Sequence, residues 1–201
     1  MKSQDILLLF KLVCLHKAEY VSSEVNRKAW PEGLESEARY KDQSLDNSAY
    51  TTRALESSTG ISRSQVSLSI QRCADVGLLR TDRNSGAPRV NRKALFEFAV
   101  YGLKYVFPAK PAEITRGIAT AFAAPVLRDL LMSGGDLVPV WPDAQGETKG
   151  QAVEPIYKSV VHAVRLDSEL YAMLALVDAI RIGMPREAKL AKRLLAEYLE
   201  V

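Results

Sequence analysis

The side chains best suited to chemistry in this sequence gather in one stretch, Thr52 to Thr81. Ser62, Arg63, Ser64, Gln65 and Ser67 follow one another closely, and Ser69, Gln71 and Arg72 come next. Short hydroxyls, amides and guanidiniums are the groups that hydrogen-bond base edges and phosphates. Arg80, Arg83 and Arg89 add cations just downstream. Catalytic constellations are missing elsewhere. His16 and His162 are the only histidines, and Cys14 and Cys73 lie far apart, so the usual metal-ligand spacings are excluded. There is no nucleophile elbow, no phosphate-cradling Gly-Lys-Ser/Thr loop and no dinucleotide fingerprint. Gly134-Gly135-Asp136 reads as a turn, and Glu35 and Glu37 as solvating charge. The expectation is a chain that is not an enzyme and uses no cofactor or metal.

Local sequence says how such groups would be held. The stretch reads as two short helices joined by a tight turn. Ala54 and Leu55 lie on the first. Gly60 supplies the positive φ of a sharp helix exit, and Ser62 is placed to cap the second helix. Val66, Ile70 and Cys73 recur at spacings of four and three, one apolar stripe. The other face carries Arg63, Ser64, Gln65, Ser67, Ser69, Gln71 and Arg72. Gly77-Leu78-Leu79 ends the helix. Two short runs around Asn84-Ser85-Gly86 then predict a hairpin over Leu78 to Asn91. Arg80, Arg83 and Arg89 give it a cationic edge suited to phosphates or the minor groove.

The residues Ala54, Gly60-Ile61-Ser62, Val66-Ser67, Ile70 and Gly77-Leu78-Leu79 together resemble a bacterial winged helix-turn-helix regulator of the MarR-like kind, over the first half of the chain. The resemblance implies a mainly α fold with a small β-hairpin wing, and a helical, partly irregular C-terminal region. It implies a homodimer that binds double-stranded DNA sequence-specifically and represses by occupying a promoter. The helix starting at Ser62 would enter the major groove. Ser62, Arg63, Ser64, Gln65 and Ser67 would meet bases or phosphates, Arg72 the backbone, and Arg80, Arg83 and Arg89 would act from the wing.

Bulk charge adds little by itself: 201 residues carry a net +3. Its distribution says more. Between Ile61 and Lys93 lie seven cations and two carboxylates, a local surplus above that of the whole chain. The two cysteines read as small buried hydrophobes of a reducing compartment. No secretory signal is legible, and Leu7 to Leu15, interrupted by Lys11, is too short to span a bilayer. A cytoplasmic protein without membrane association is expected.

In chain order, Ser3, Gln4 and Asp5 signal a helix start. The helix that follows is apolar on nearly every side and must be covered all round, by a second copy or by the C-terminal half. Ala18 to Ser48 lacks a period. A short helix over 24–30 should stop before Pro31, and a polar loop insertion occupies 31–48. Asn91 caps a helix from Arg92 to about Val106, where the domain boundary is placed: 1–106 DNA-binding, 107–201 interaction, dimerisation or sensing. Prolines 108, 111, 125, 139, 142 and 155 predict extended or loop-rich chain, with a short helix over 125–132, a strand over 137–143 and a helix starting at Glu154. The segments GLKYVFPA, TRGIATAFAAP, PVWPD and EPIY between Tyr101 and Tyr157 resemble the C-terminal signature of an uncharacterised bacterial helix-turn-helix family. Trp141, Tyr105, Phe107, Phe122 and Tyr157 would form a local core or line a pocket for an effector. Ser168 should cap a helix that Gly183 stops, and Pro185 opens the last helix. The alternative function from this half is an antitoxin-like module that binds a protein partner.

Overall fold

The computed structural model describes residues 1–28, 47–130 and 137–201. Helix α1 (Ser3–Lys28) opens the chain. The Asp5 carboxylate ties its first turn by accepting the Lys2 backbone N–H at 2.7 Å. The helix continues through 18–28, so the part of the short helix expected over 24–30 that is described belongs to α1, without the expected irregular break from residue 18. Nothing in Ala18–Lys28 is Gly or Pro, so no residue there stops propagation. Of the expected 31–48 loop, 31–46 lies outside the described residues, and Asn47–Tyr50 is a 3-10 turn.

Next come α2 (Thr52–Thr59), capped by the Thr51 hydroxyl, and α3 (Arg63–Asp75). Strands β1 (Leu79–Thr81) and β2 (Pro88–Val90) pair antiparallel, with Leu79 opposite Val90 and Thr81 opposite Pro88. Asn91 caps α4 (Arg92–Glu97), its Oδ1 accepting the Ala94 N–H at 3.2 Å. A π-helical segment, Phe98–Gly102, carries α4 into α5 (Leu103–Val106).

The proline-punctuated region is more ordered than its sequence suggests. Strands β3 (Pro111–Ala119), β4 (Pro139–Pro142) and β5 (Thr148–Val153) each pair with the other two and close a small barrel. Both antiparallel pairings involve β3; β4 and β5 run parallel. The strands meet at close quarters. A Cβ added at Gly117 would stand 2.0 Å from the Trp141 carbonyl oxygen, and one at Gly150 2.1 Å from that of Val138. The short helix α6 (Pro125–Arg128) precedes β4. Helix α7 (Val160–Arg165) starts after the Glu154 expected for it, and α8 (Ser168–Ile182) is capped by Asp167 rather than Ser168. Asp167 Oδ1 accepts the N–H groups of Glu169 and Leu170, leaving Ser168 inside the first turn. Helix α9 (Pro185–Leu199) opens on its proline.

The core answers the question posed by α1. Residues Gln4 to Cys14 are buried, and α8 is buried from Ala172 to Ile180. A single apolar cluster joins both helices with residues from the two halves of the chain. Lys11, the one charge inside the apolar run, reaches Asp167 at 2.7 Å, and Lys17 pairs with Glu169. The C-terminal half therefore covers α1 within one protomer. The fold is mainly helical, with a small two-stranded antiparallel sheet and the three-stranded barrel. Among the described residues no helix is long and apolar enough to cross a membrane.

Trp141 belongs to this core, 1% exposed. Its indole Nε1 donates to Asp178 Oδ2 at 2.6 Å, and Thr120 Oγ1 donates to the same oxygen at 3.0 Å. Arg181 donates to Asp178 Oδ1 at 2.6 Å. Burial pushes the Asp178 carboxyl up, opposed by Arg181, Trp141 and Thr120. One buried carboxylate thus fastens the barrel to α8.

Candidate nucleic-acid interface

The turn between α2 and α3 is built as its sequence requires. Gly60 is left-handed at φ 69°, and its N–H donates to the Glu56 carbonyl at 2.8 Å. Ile61 plugs the turn from inside with no exposed surface. Val66 and Cys73 are buried and Ile70 is packed against the core, so the apolar stripe faces inward. Ser62 occupies the cap position but makes no side-chain cap bond, and it stays exposed. The solvent face of α3 carries Arg63, Ser64, Ser67, Leu68 and Gln71, with Ala74 and Asp75 exposed in its last turn. Leu68 is 46% exposed in the middle of it.

Two neighbouring elements set the orientation of α3. From α1, Gln4 Nε2 donates to Gln65 Oε1 at 2.8 Å and to Ser69 Oγ at 3.2 Å. Arg72 donates from Nε to Asp5 at 3.0 Å and from Nη2 to Ser69 Oγ at 2.9 Å. From the segment opening α7, Ser159 Oγ donates to the Thr59 carbonyl at 2.6 Å, and His162 Nε2 lies 2.9 Å from the Ser57 carbonyl. These bonds take up free carbonyls at the end of α2.

Gln65, Arg72 and Arg89 were expected to face DNA; in the structure each is hydrogen-bonded within the chain. Gln65 and Arg72 are bonded to α1. Arg89 turns inward, donating to Glu19 at 2.7 Å with the Tyr50 ring 5.6 Å away. Ser69, placed by the sequence on the polar face, is fully buried. The cause is the same each time: α1 lies alongside α3 and β2 with Gln4, Asp5 and Glu19 on the facing side. Arg63 is 61% exposed although it meets Glu56 at 2.7 Å.

The hairpin loop is organised by Asp82. Its Oδ1 accepts the N–H groups of Ser85 at 2.8 Å and Asn84 at 3.0 Å and the Ser85 hydroxyl at 2.9 Å. Those donors hold the carboxyl below its usual range. Gly86, at φ 69°, completes the turn. Arg80 and Arg83 are exposed, and among the described residues neither has an ion-pair partner. Arg53 on α2, which the sequence reading did not single out, and Lys93 on α4, which it counted only in the charge balance, are both exposed. Leu68 was missed because an apolar residue carries no hydrogen-bonding signal.

The local charge surplus shrinks once partners are located. Arg63, Arg72, Arg89 and Arg92 pair with Glu56, Asp5, Glu19 and Glu200, all from outside Ile61–Lys93. Arg80, Arg83 and Lys93 remain unpaired among the described residues. Both cysteines are buried. Burial raises the Cys14 thiol and pushes that of Cys73 up to about 12, so neither is a ready thiolate at neutral pH. Among the described residues no group of His, Cys, Asp and Glu could hold a metal ion.

Burial pushes the Asp5 carboxyl up, but hydrogen bonds from Arg72, Lys2 and Ser69 outweigh it and the pKa ends below its ordinary value of 3.8. A carboxyl depressed in the folded state stabilises above its unfolded pKa and loses that contribution as pH falls through the folded one. The melting temperature should therefore drop on acidification below about pH 4. Asp5→Asn should lower the melting temperature at neutral pH and flatten this acid limb. An unchanged limb in thermal melts would show that Asp5 does not contribute to it.

No family model, no curated protein and no solved structure matches the chain.

Proposed function

We propose that the chain is a sequence-specific DNA-binding regulator of the winged helix-turn-helix kind. The exposed face of α3 lies in the major groove. Ser64, Ser67 and Gln71 offer hydrogen bonds to base edges, Leu68 a surface for a thymine methyl, and Arg63 a cation near the first turn. Arg80 and Arg83 on the hairpin meet flanking phosphates or the minor groove. Gln65, Arg72 and Arg89 hold α3 and the hairpin in place. The observation that carries the reading is the solvent face of α3: short polar side chains opposite a buried Val66–Cys73 stripe, with two arginines on the adjoining hairpin that have no ion-pair partner among the described residues. The proposal includes binding as a homodimer to paired half-sites, with repression by occupancy.

The test is selection of fragments from random duplex DNA by the pure protein, followed by titrations at several salt concentrations. Gln71→Ala should relax base preference at one position, costing about 1–3 kcal/mol. Arg83→Ala should weaken all sequences alike and reduce the salt slope by about 1. Gln65→Ala should leave the selected motif unchanged, because its oxygen is occupied by Gln4. If no motif emerges, or the slope stays constant in Arg80→Ala and Arg83→Ala, the proposal is wrong.

A further inference from the structure

A second cationic surface lies at the far end of the α4–α5 stretch, about 18 Å along the helix from Arg92 at 1.5 Å per residue. Gly183 joins α8 to α9 so tightly that an added Cβ would stand 2.1 Å from the Ala179 carbonyl oxygen. Beside this junction runs an open groove of roughly 420 Å³. Val100, Ile182 and Ala188 supply apolar lining, and Lys104, Lys189 and Lys192 supply charge. Arg181 also reaches the groove, but it is bonded to Asp178 and to the Phe107 carbonyl.

Among the described residues the three lysines lack carboxylate partners. None lies within 4.0 Å of a carboxylate among the described residues. Lys192 stands 5.8 Å from the centre of the Tyr101 ring, and Lys104 4.8 Å from that of Tyr105. Both rings are largely exposed, at 69% and 74%, and Met184 beside the groove is 70% exposed. Exposed tyrosine and methionine next to an apolar groove are the composition of a protein-interaction surface. Lysine is normally depleted in such surfaces. Three unpaired ammoniums around this one call for carboxylates from the other side.

We infer that this groove docks an acidic, amphipathic segment of a partner protein. Its apolar side chains enter the groove between α5 and α9, and its Asp and Glu side chains meet Lys104, Lys189 and Lys192. A single compact anion suits the site less well. Lys189 and Lys192 are neighbours on one wall while Lys104 stands on the other, and the one guanidinium is already bonded. A nucleic-acid backbone would leave the apolar lining unused. The surface is distinct from the α3 face, so the two can be tested apart.

The experiment titrates the full chain into a fluorescein-labelled peptide of alternating glutamate and leucine, read by anisotropy. Analogues carry glutamine or lysine in place of glutamate. The acidic peptide should bind and both analogues should bind at least about tenfold more weakly. K189E/K192E should weaken the acidic peptide about tenfold or more, and Tyr101→Ala about threefold, with melting curves unchanged. K149E/K158E, which alters exposed lysines elsewhere, should leave binding intact. The inference is overturned if the acidic peptide does not bind, if the glutamine analogue binds equally, or if the control pair loses as much. It is also overturned if K189E/K192E weakens duplex DNA as Arg83→Ala does, which would reassign the groove to nucleic acid.

Discussion

Asp178→Ala should destabilise the folded chain by about 3–5 kcal/mol, the cost of breaking a buried ion pair from one side. Asp178 is 1% exposed and the Arg181 side chain 3%, so removing the carboxylate leaves the guanidinium without its ion-pair partner in a largely desolvated setting. Trp141 Nε1 and Thr120 Oγ1 would lose their acceptor as well. Burial raises the carboxyl's own pKa, so the intact pair contributes little net stability compared with an apolar replacement. This yields a discriminating comparison. Asp178→Leu combined with Arg181→Met should recover most of what Asp178→Ala loses, since no charge is then left buried. Urea unfolding followed by tryptophan fluorescence measures both. A loss below about 1 kcal/mol for Asp178→Ala would mean that water replaces the carboxylate.

Gly60→Val has the next largest expected effect, about 2–4 kcal/mol from two separable causes. The first is backbone: at φ 69° a β-branched residue is strained. The second is tertiary: a Cβ at Gly60 would lie 2.9 Å from the Ser159 Cβ, inside the contact that holds α7 on the end of α2. Gly77→Val isolates the first cause, because Gly77 has φ 75° with nothing within 4 Å of an added Cβ. Gly60→Val should therefore cost more than Gly77→Val. It should also reduce the affinity of the proposed DNA contact, since displacing Ser159 from the Thr59 carbonyl shifts the helix that leads into α3. Equal losses for the two variants would show that α7 yields without cost. Retained DNA affinity in Gly60→Val would show that the turn is not transmitted to α3.

What could be read from the residues alone was local. Gly60, the Val66–Cys73 stripe, the Gly77 exit, the hairpin and the Asn91 cap are each decided within a few neighbours by φ preference, helical period and short hydrogen bonds. The all-round apolar face of α1 likewise announced burial without naming the cover.

Tertiary structure decided which polar groups stay free. Arg72 and Arg89 look like contact residues on one strand of text, but Asp5 and Glu19 neutralise them from 67 and 70 positions away. Desolvated cations find carboxylates, and sequence distance does not enter that balance. The barrel was hidden for a related reason. Its short strands are bounded by prolines, and their pairings join β3 to β4 and β5 across long sequence gaps. The sequence thus determined that a polar helix is presented after a tight turn. Only the packed structure decided that Ser64, Ser67, Leu68 and Gln71 face outward while Gln65, Ser69, Arg72 and Arg89 serve as internal struts, because hydrogen-bond partners and burial are properties of neighbours in space.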